Sequence, residues 1–171
     1  QQSEKSGIKG LEPIRAEAYG VRAMLHFDLL RLFAPTILQP QSMAIPYVKT
    51  FSSAPQPVVS VSKGYELVTK DLLTADSIYN ALENNEAGKA VLSFLYLSHN
   101  AIKALLARVY LWQNKPNEAA LWAKKVISEG YELAKEEQLL DLFRGYNAKN
   151  ECIFALHAPK MYIDVRNTCF P

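Results

Sequence analysis

Reactive side chains are few in this sequence, and their spacing argues against a bond-making centre. The three histidines, His26, His99 and His157, are dispersed, and no two stand at the i, i+4 spacing of a helical metal-binding pair. His26 and Asp28 lie two residues apart on a predicted helix and face different ways. The plain reading is a helical histidine beside an Asp28–Arg31 surface pair. Asp71, Asp76 and Glu83 have no spacing that sets two carboxylates on adjacent turns of one face, as paired acid–base chemistry requires. Cys152 and Cys169 fit two separate small hydrophobes as well as they fit one disulfide. With no C-x-x-C and no nearby His pair, they make no zinc site. The seven glycines are scattered, so no phosphate-cradling loop is present. The expectation is a non-enzyme with no catalytic residue, metal ligand or cofactor.

What the residues offer instead is the chemistry of holding. A pyranose is gripped by an aromatic face against its apolar side, with amides and carboxylates reaching its hydroxyls. Gln39, Gln41, Tyr47 and Phe51, in a proline-rich stretch, are the candidates for this, and the region of Tyr131 and Tyr146 supplies further aromatics. The competing reading for each is packing of the loop onto the helices. Arg108 sits in the otherwise apolar run Ala104–Trp112, where a charge must be paired or reach out to water. Trp112 and Trp122 fall at helix-packing positions and are expected in the core.

The elements that would position these residues are mainly helices. From Leu11 to Phe33 two apolar stripes run side by side. One is Ile14, Ala18, Val21, Leu25, Leu29 and Leu32; the other is Ala16, Gly20, Ala23, Phe27, Leu30 and Ala34. Two stripes predict contact on more than one side, and the small residues Ala16, Gly20 and Ala23 would admit a close neighbour. Pro35 ends that helix. Residues 35–61 hold five prolines and read as a long functional loop, with Ile45–Val48 its only extended piece. Ser60 or Ser62 then caps a helix to Leu82 or Glu83, whose stripe is Val68, Leu72, Ala75, Tyr79 and Leu82. Residues 91–97 read as a strand or extended entry. A helix from His99 to Gln113 follows, capped by Ser98, and another starts at Pro116 and stops near Gly130. A short helix over 135–143 and two strands, 152–156 and 162–165, complete the chain. The domain reading is a flexible lead-in (1–10), a helical body (11–145) and a short strand or hairpin segment (146–171).

Composition sets the outer limits. A 171-residue chain with 49% hydrophobic and 21% charged residues can bury a core without staples. A net charge of +2 with scattered Lys and Arg gives no footprint for nucleic acid. No apolar run approaches the roughly 20 residues that span a bilayer. No secretory leader of basic head and apolar run opens the sequence.

Antiparallel helices at this spacing suggest a tetratricopeptide-type solenoid, whose unit is about 34 residues. Leu106-Ala107-x-x-Tyr110 and Ala119 match that pattern, while Lys103, Ala123 and Val126 depart from it. Read in order, five segments resemble the SusD/RagB family of outer-membrane nutrient-binding lipoproteins. They are Arg22-Ala23…Phe27-Asp28-Leu29…Arg31-Leu32-Phe33; Ile45-Pro46-Tyr47-Val48; Tyr65…Asp71-Leu72…Ala75; Ala104–Trp112 with Ala119…Gly130-Tyr131; and Glu151-Cys152-Ile153-Phe154. The residue pattern predicts a mainly all-α fold, a tetratricopeptide-like antiparallel helical-repeat solenoid with a long Pro-rich loop and a short C-terminal β element. The resemblance implies a binding protein that captures oligosaccharide at the outer membrane and passes it to a SusC-like TonB-dependent transporter. The chain is expected to be an internal piece of that pattern, held to the membrane only through a lipid anchor that lies outside it. The rival expectation is a cytosolic tetratricopeptide adaptor binding peptides, with an enzyme a distant third.

Overall fold

The computed structural model describes residues 10–83, 96–139 and 151–155. Within them the order is α1 (Glu12–Phe33), β1 (Met43–Pro46), β2 (Val58–Ser60), α2 (Val61–Glu83), α3 (His99–Trp112) and α4 (Pro116–Ile127), then a 3₁₀ turn at Glu136–Gln138. The body is mainly helical with one small two-stranded sheet. Successive helices run antiparallel: Leu30 meets Gly64 while Arg22 meets Asp71, and Thr69 meets Gln113 while Asp76 meets His99. The most extensive packing is α1 on α2 and α3 on α4, with α2 on α3 joining the pairs.

The helix ends follow local chemistry. Ser60 accepts from the Lys63 N–H at 3.3 Å, and Ser98 accepts from the Ala101 N–H at 3.3 Å, each satisfying a donor in the first turn. Pro116 occupies the first turn of α4, where its missing N–H is not needed. Between α3 and α4 the turn is tight enough to put Asn114 at φ 59°, and beyond α4 Gly130 takes φ +85°, a left-handed value that suits glycine. Ser98→Ala should cost about 1 kcal/mol of stability, read as a lowered urea midpoint at unchanged slope. An unchanged midpoint would show that water replaces the cap without loss.

The core is centred where α1, α2 and α3 meet. Phe27, Leu30, Val61, Val68, Leu72, Leu97, Ile102, Leu106 and Val109 are all fully buried there. The small-residue stripe on α1 does admit a close neighbour. A Cβ on Gly20 would lie 2.3 Å from Ile102 Cδ1 and 2.6 Å from Leu97 Cδ2, distances that forbid any side chain without a shift.

Several expectations are corrected. Only one α1 stripe is buried: Ala16, Gly20, Ala23, Phe27 and Leu30 face inward, whereas Ile14, Leu25, Leu29 and Leu32 are exposed. Stretch 35–61 is not simply a loop, because Val58–Ser60 pairs antiparallel with Met43–Pro46 across an irregular register. Val58–Ser60 is too short, between Pro57 and a helix cap, for its alternation to be read. Trp112 is 50% exposed and packs edge-on to Phe27, while Trp122 is buried as expected. Cys152–Ala155 forms no strand. The lead-in, most of the 91–97 entry, the end of the 135–143 helix, the 162–165 strand and Cys169 lie outside the described residues.

Candidate functional site

Two buried polar junctions hold the framework. In the first, Arg22 on α1 grips Asp71 on α2 with two hydrogen bonds, Nε to Oδ2 at 2.6 Å and Nη2 to Oδ1 at 2.8 Å. The Tyr47 hydroxyl donates to the same Asp71 Oδ2 at 2.7 Å, and Arg22 Nη1 reaches the Lys49 carbonyl at 3.3 Å. The Asp71 hydrogen bond, more than its charge, raises the Arg22 guanidinium above its ordinary value, and burial followed by the Asp71 bond pushes the Tyr47 phenol up. His26 stacks on Tyr47 with ring centroids 4.1 Å apart. Its Nε2 accepts the Val48 N–H at 3.0 Å, so the ring proton sits on Nδ1 and is donated to the Arg22 carbonyl at 2.8 Å. Together these bonds pin residues 47–49 onto α1 and α2.

In the second junction, His99 Nε2 meets Asp76 Oδ1 at 2.8 Å, and Tyr79 stacks on His99. Burial would raise the Asp76 carboxyl, but the His99 hydrogen bond and charge outweigh it and leave the group below its ordinary value. Buried Lys103 reaches Glu129 at 2.7 Å, which is how a lysine occupies a position where a repeat motif carries an aromatic. The Tyr79 hydroxyl donates to the Leu97 carbonyl at 2.9 Å, while Glu17 accepts the Leu97 N–H at 3.2 Å. Burial, reinforced by the Glu17 charge, pushes the Tyr79 phenol up to about 12. Both junctions have their polar atoms engaged in holding helices together. Among the described residues no three His, Cys, Asp or Glu side chains gather around a point that could hold a metal ion.

The sequence candidates separate. Gln39, Gln41 and Phe51 are exposed, Phe51 completely. Tyr47 is 7% exposed, with one face against His26 and its hydroxyl spent on Asp71, so it is withdrawn from the surface as a sugar platform. Arg108 is exposed and lies over the Phe27 ring at 6.0 Å, the solution in which a charge on an apolar run reaches for water. Asp28 and Arg31 form the surface pair at 3.0 Å.

Away from these residues lies an open groove of about 1000 Å³. Its floor is one face of α2, where Ser62, Glu66, Lys70, Thr74 and Ser77 recur every three or four residues over about 22 Å. Arg15 on α1 forms part of one wall, and Tyr110, Gln113 and Lys115, at and just beyond the end of α3, form part of the other. Ile37 and Pro40 also line it, and Gln39 and Gln41 flank Pro40 in the chain. Gln113 donates to Thr69 at 2.9 Å, and Lys115 lies 5.9 Å over the half-buried Tyr110 ring. Hydroxyls, an amide, charges and an aromatic edge along a trough are what a polyhydroxylated chain requires. Sequence reasoning missed this face because polar residues at helical spacing look like any solvated surface. A smaller cleft of about 390 Å³ lies between α1, α3 and residues 151–154, with Asp28, Arg108 and Glu151 among its lining residues.

Solved structures share this architecture. A SusD superfamily protein from Bacteroides thetaiotaomicron superposes with TM-score 0.68 and 26% identity, over 81% of this chain and 31% of that one. The chain is SusD-like. A protein from Bacteroides vulgatus described as sugar binding matches this SusD-like chain with TM-score 0.67 and 25% identity, over 84% of this chain and 32% of that one. A SusD superfamily protein from the same organism shares the fold, with TM-score 0.70 and 23% identity over 85% of this chain and 33% of that one. The SusD-like chain thus spans about a third of the length of the structures it matches. No family model and no curated protein matches it.

Proposed function

We propose that this chain is the helical part of a carbohydrate-capturing lipoprotein of the bacterial outer membrane, a binding protein and not an enzyme. The observation that carries the reading is the likeness, at 25% and 26% identity, to a sugar-binding protein and a SusD superfamily protein over more than four-fifths of this chain. The polar groove along α2 supplies a place for a polyhydroxylated ligand. Gln39 and Gln41 would bring amides to its rim, and Phe51 a free aromatic face nearby in sequence. Tyr47 would act from beneath by fixing the segment that bears Phe51. The finer parts of the reading are a tetratricopeptide-like solenoid for the helices and delivery of the captured oligosaccharide to a SusC-like TonB-dependent transporter. Among the described residues no helix is long and apolar enough to cross a membrane, which is compatible with attachment through a lipid.

A glycan-binding screen of the 171-residue chain against plant, host and microbial oligosaccharides tests the proposal. Saturable binding of at least one class is the expected result, and no binding across all classes overturns it. A second reading, a tetratricopeptide-type adaptor for peptides, is favoured by the antiparallel succession α1 to α4 and by the helical floor of the groove. Binding of an unmodified peptide library in place of any glycan would select it.

A further inference from the structure

Charge and an unmet hydrogen bond in the α2 groove narrow the ligand class. Among the described residues three cations, Arg15, Lys70 and Lys115, line the trough against a single carboxylate, Glu66. That carboxylate is bridged to Lys63 at 2.6 Å and shared with Lys70, so it leaves the groove with an excess of positive charge. Arg15 adds a more specific observation. Its Nε is buried and, among the described residues, has no hydrogen-bond partner. A buried guanidinium N–H without an acceptor is costly, and the guanidinium of a groove-lining arginine favours a two-oxygen anion held in forked geometry. A neutral sugar would leave the excess positive charge uncompensated.

We infer that the groove takes an anionic oligosaccharide, with one acid group seated on Arg15 and the flanking sugars lying along α2 toward Lys70 and Lys115. This deepens the carbohydrate-binding reading and rests on it. Carboxylate and sulfate share the required chemistry: two or more acceptor oxygens carrying a negative charge. Thr74 and Ser77 on the floor and Gln113 on the far wall supply neutral partners for ring hydroxyls.

The test is titration calorimetry of the 171-residue chain with paired probes that differ only in charge. Tetragalacturonate is set against its carboxyl-reduced counterpart, and a sulfated galactan tetrasaccharide against its desulfated counterpart. At least one acidic member is expected to bind about tenfold more tightly than its neutral partner, with the advantage shrinking as salt rises. Arg15→Gln should remove most of that advantage, and Lys115→Gln, at an exposed position, should reduce it in a fold that is otherwise untouched. A preference confined to one pair assigns the acid group as carboxylate or sulfate. Equal binding of acidic and neutral members, or an acid preference untouched by both substitutions, overturns this inference and leaves carbohydrate capture standing. Binding of neither member in either pair, when the wider glycan screen also fails, overturns both.

Discussion

Phe27→Ala is expected to remove about 4 kcal/mol of folding free energy, the largest effect of any single truncation proposed for this chain. The ring is 1% exposed and stands where three helices converge. It meets Tyr65 of α2 edge-on with centroids 6.4 Å apart, and Trp112 of α3 at 6.4 Å and 89°. Arg31 lies over it at 5.6 Å and Arg108 at 6.0 Å. Truncation therefore loses the buried area, leaves a cavity that fixed helices cannot close, and strips aromatic and cation contacts from both neighbours. The measurable outcome is a melting temperature lower by about 8 to 16 °C, with a matching fall in the urea midpoint. A loss below about 1 kcal/mol would mean that the three helices do not share this residue as their common centre.

Asp71→Ala is expected to cost about 3 kcal/mol, for an electrostatic reason. The carboxylate is nearly inaccessible, is held bidentately by Arg22 and accepts from Tyr47. Its removal leaves a guanidinium and a phenol without their acceptor in a place that water reaches poorly. Arg22 is partly open to solvent, which keeps the figure at the lower end for a buried pair. A comparison of two variants separates this cause from loss of packing. The double substitution Arg22→Met, Asp71→Leu removes both charges together and should recover much of the stability, whereas Asp71→Ala alone should not. If the double variant unfolds as readily as the single one in urea, the penalty comes from packing and the orphaned-charge account fails.

These two residues mark how far the sequence could be read. Phe27 was visible as part of a helical stripe, and the cap Ser98, the start at Pro116 and the stop near Gly130 were visible too, with Ser60 one of two serines offered as the other cap. Each is a local signal decided by the backbone within one turn. Which α1 stripe would be buried was not decidable in that way. Leu25 and Leu29 are as apolar as Phe27 and Leu30, and only the position of α2 and α3 chooses between them. Asp71 is separated from Arg22 by 49 residues, so no spacing rule joins them. The groove was hidden for a related reason. It is assembled from the solvated face of α2 and from Arg15 and Gln113, which are ordinary residues until the helices bring them to one trough. Of the four sugar-contact candidates, Tyr47 takes the competing course, packing onto the helices, which an aromatic in a proline-rich stretch leaves open. Its burial depends on Asp71 and His26, both on other elements.

The double hold on Leu97 has a consequence for how such a chain can vary. Glu17 takes that residue's amide hydrogen, Tyr79 bonds its carbonyl oxygen, and its side chain is sealed against the glycine of the first helix. The polypeptide is thus moored immediately before the third helix begins. Sequence change that spares Glu17, Gly20, Tyr79 and Leu97 is therefore expected to keep this anchorage, whatever else it alters.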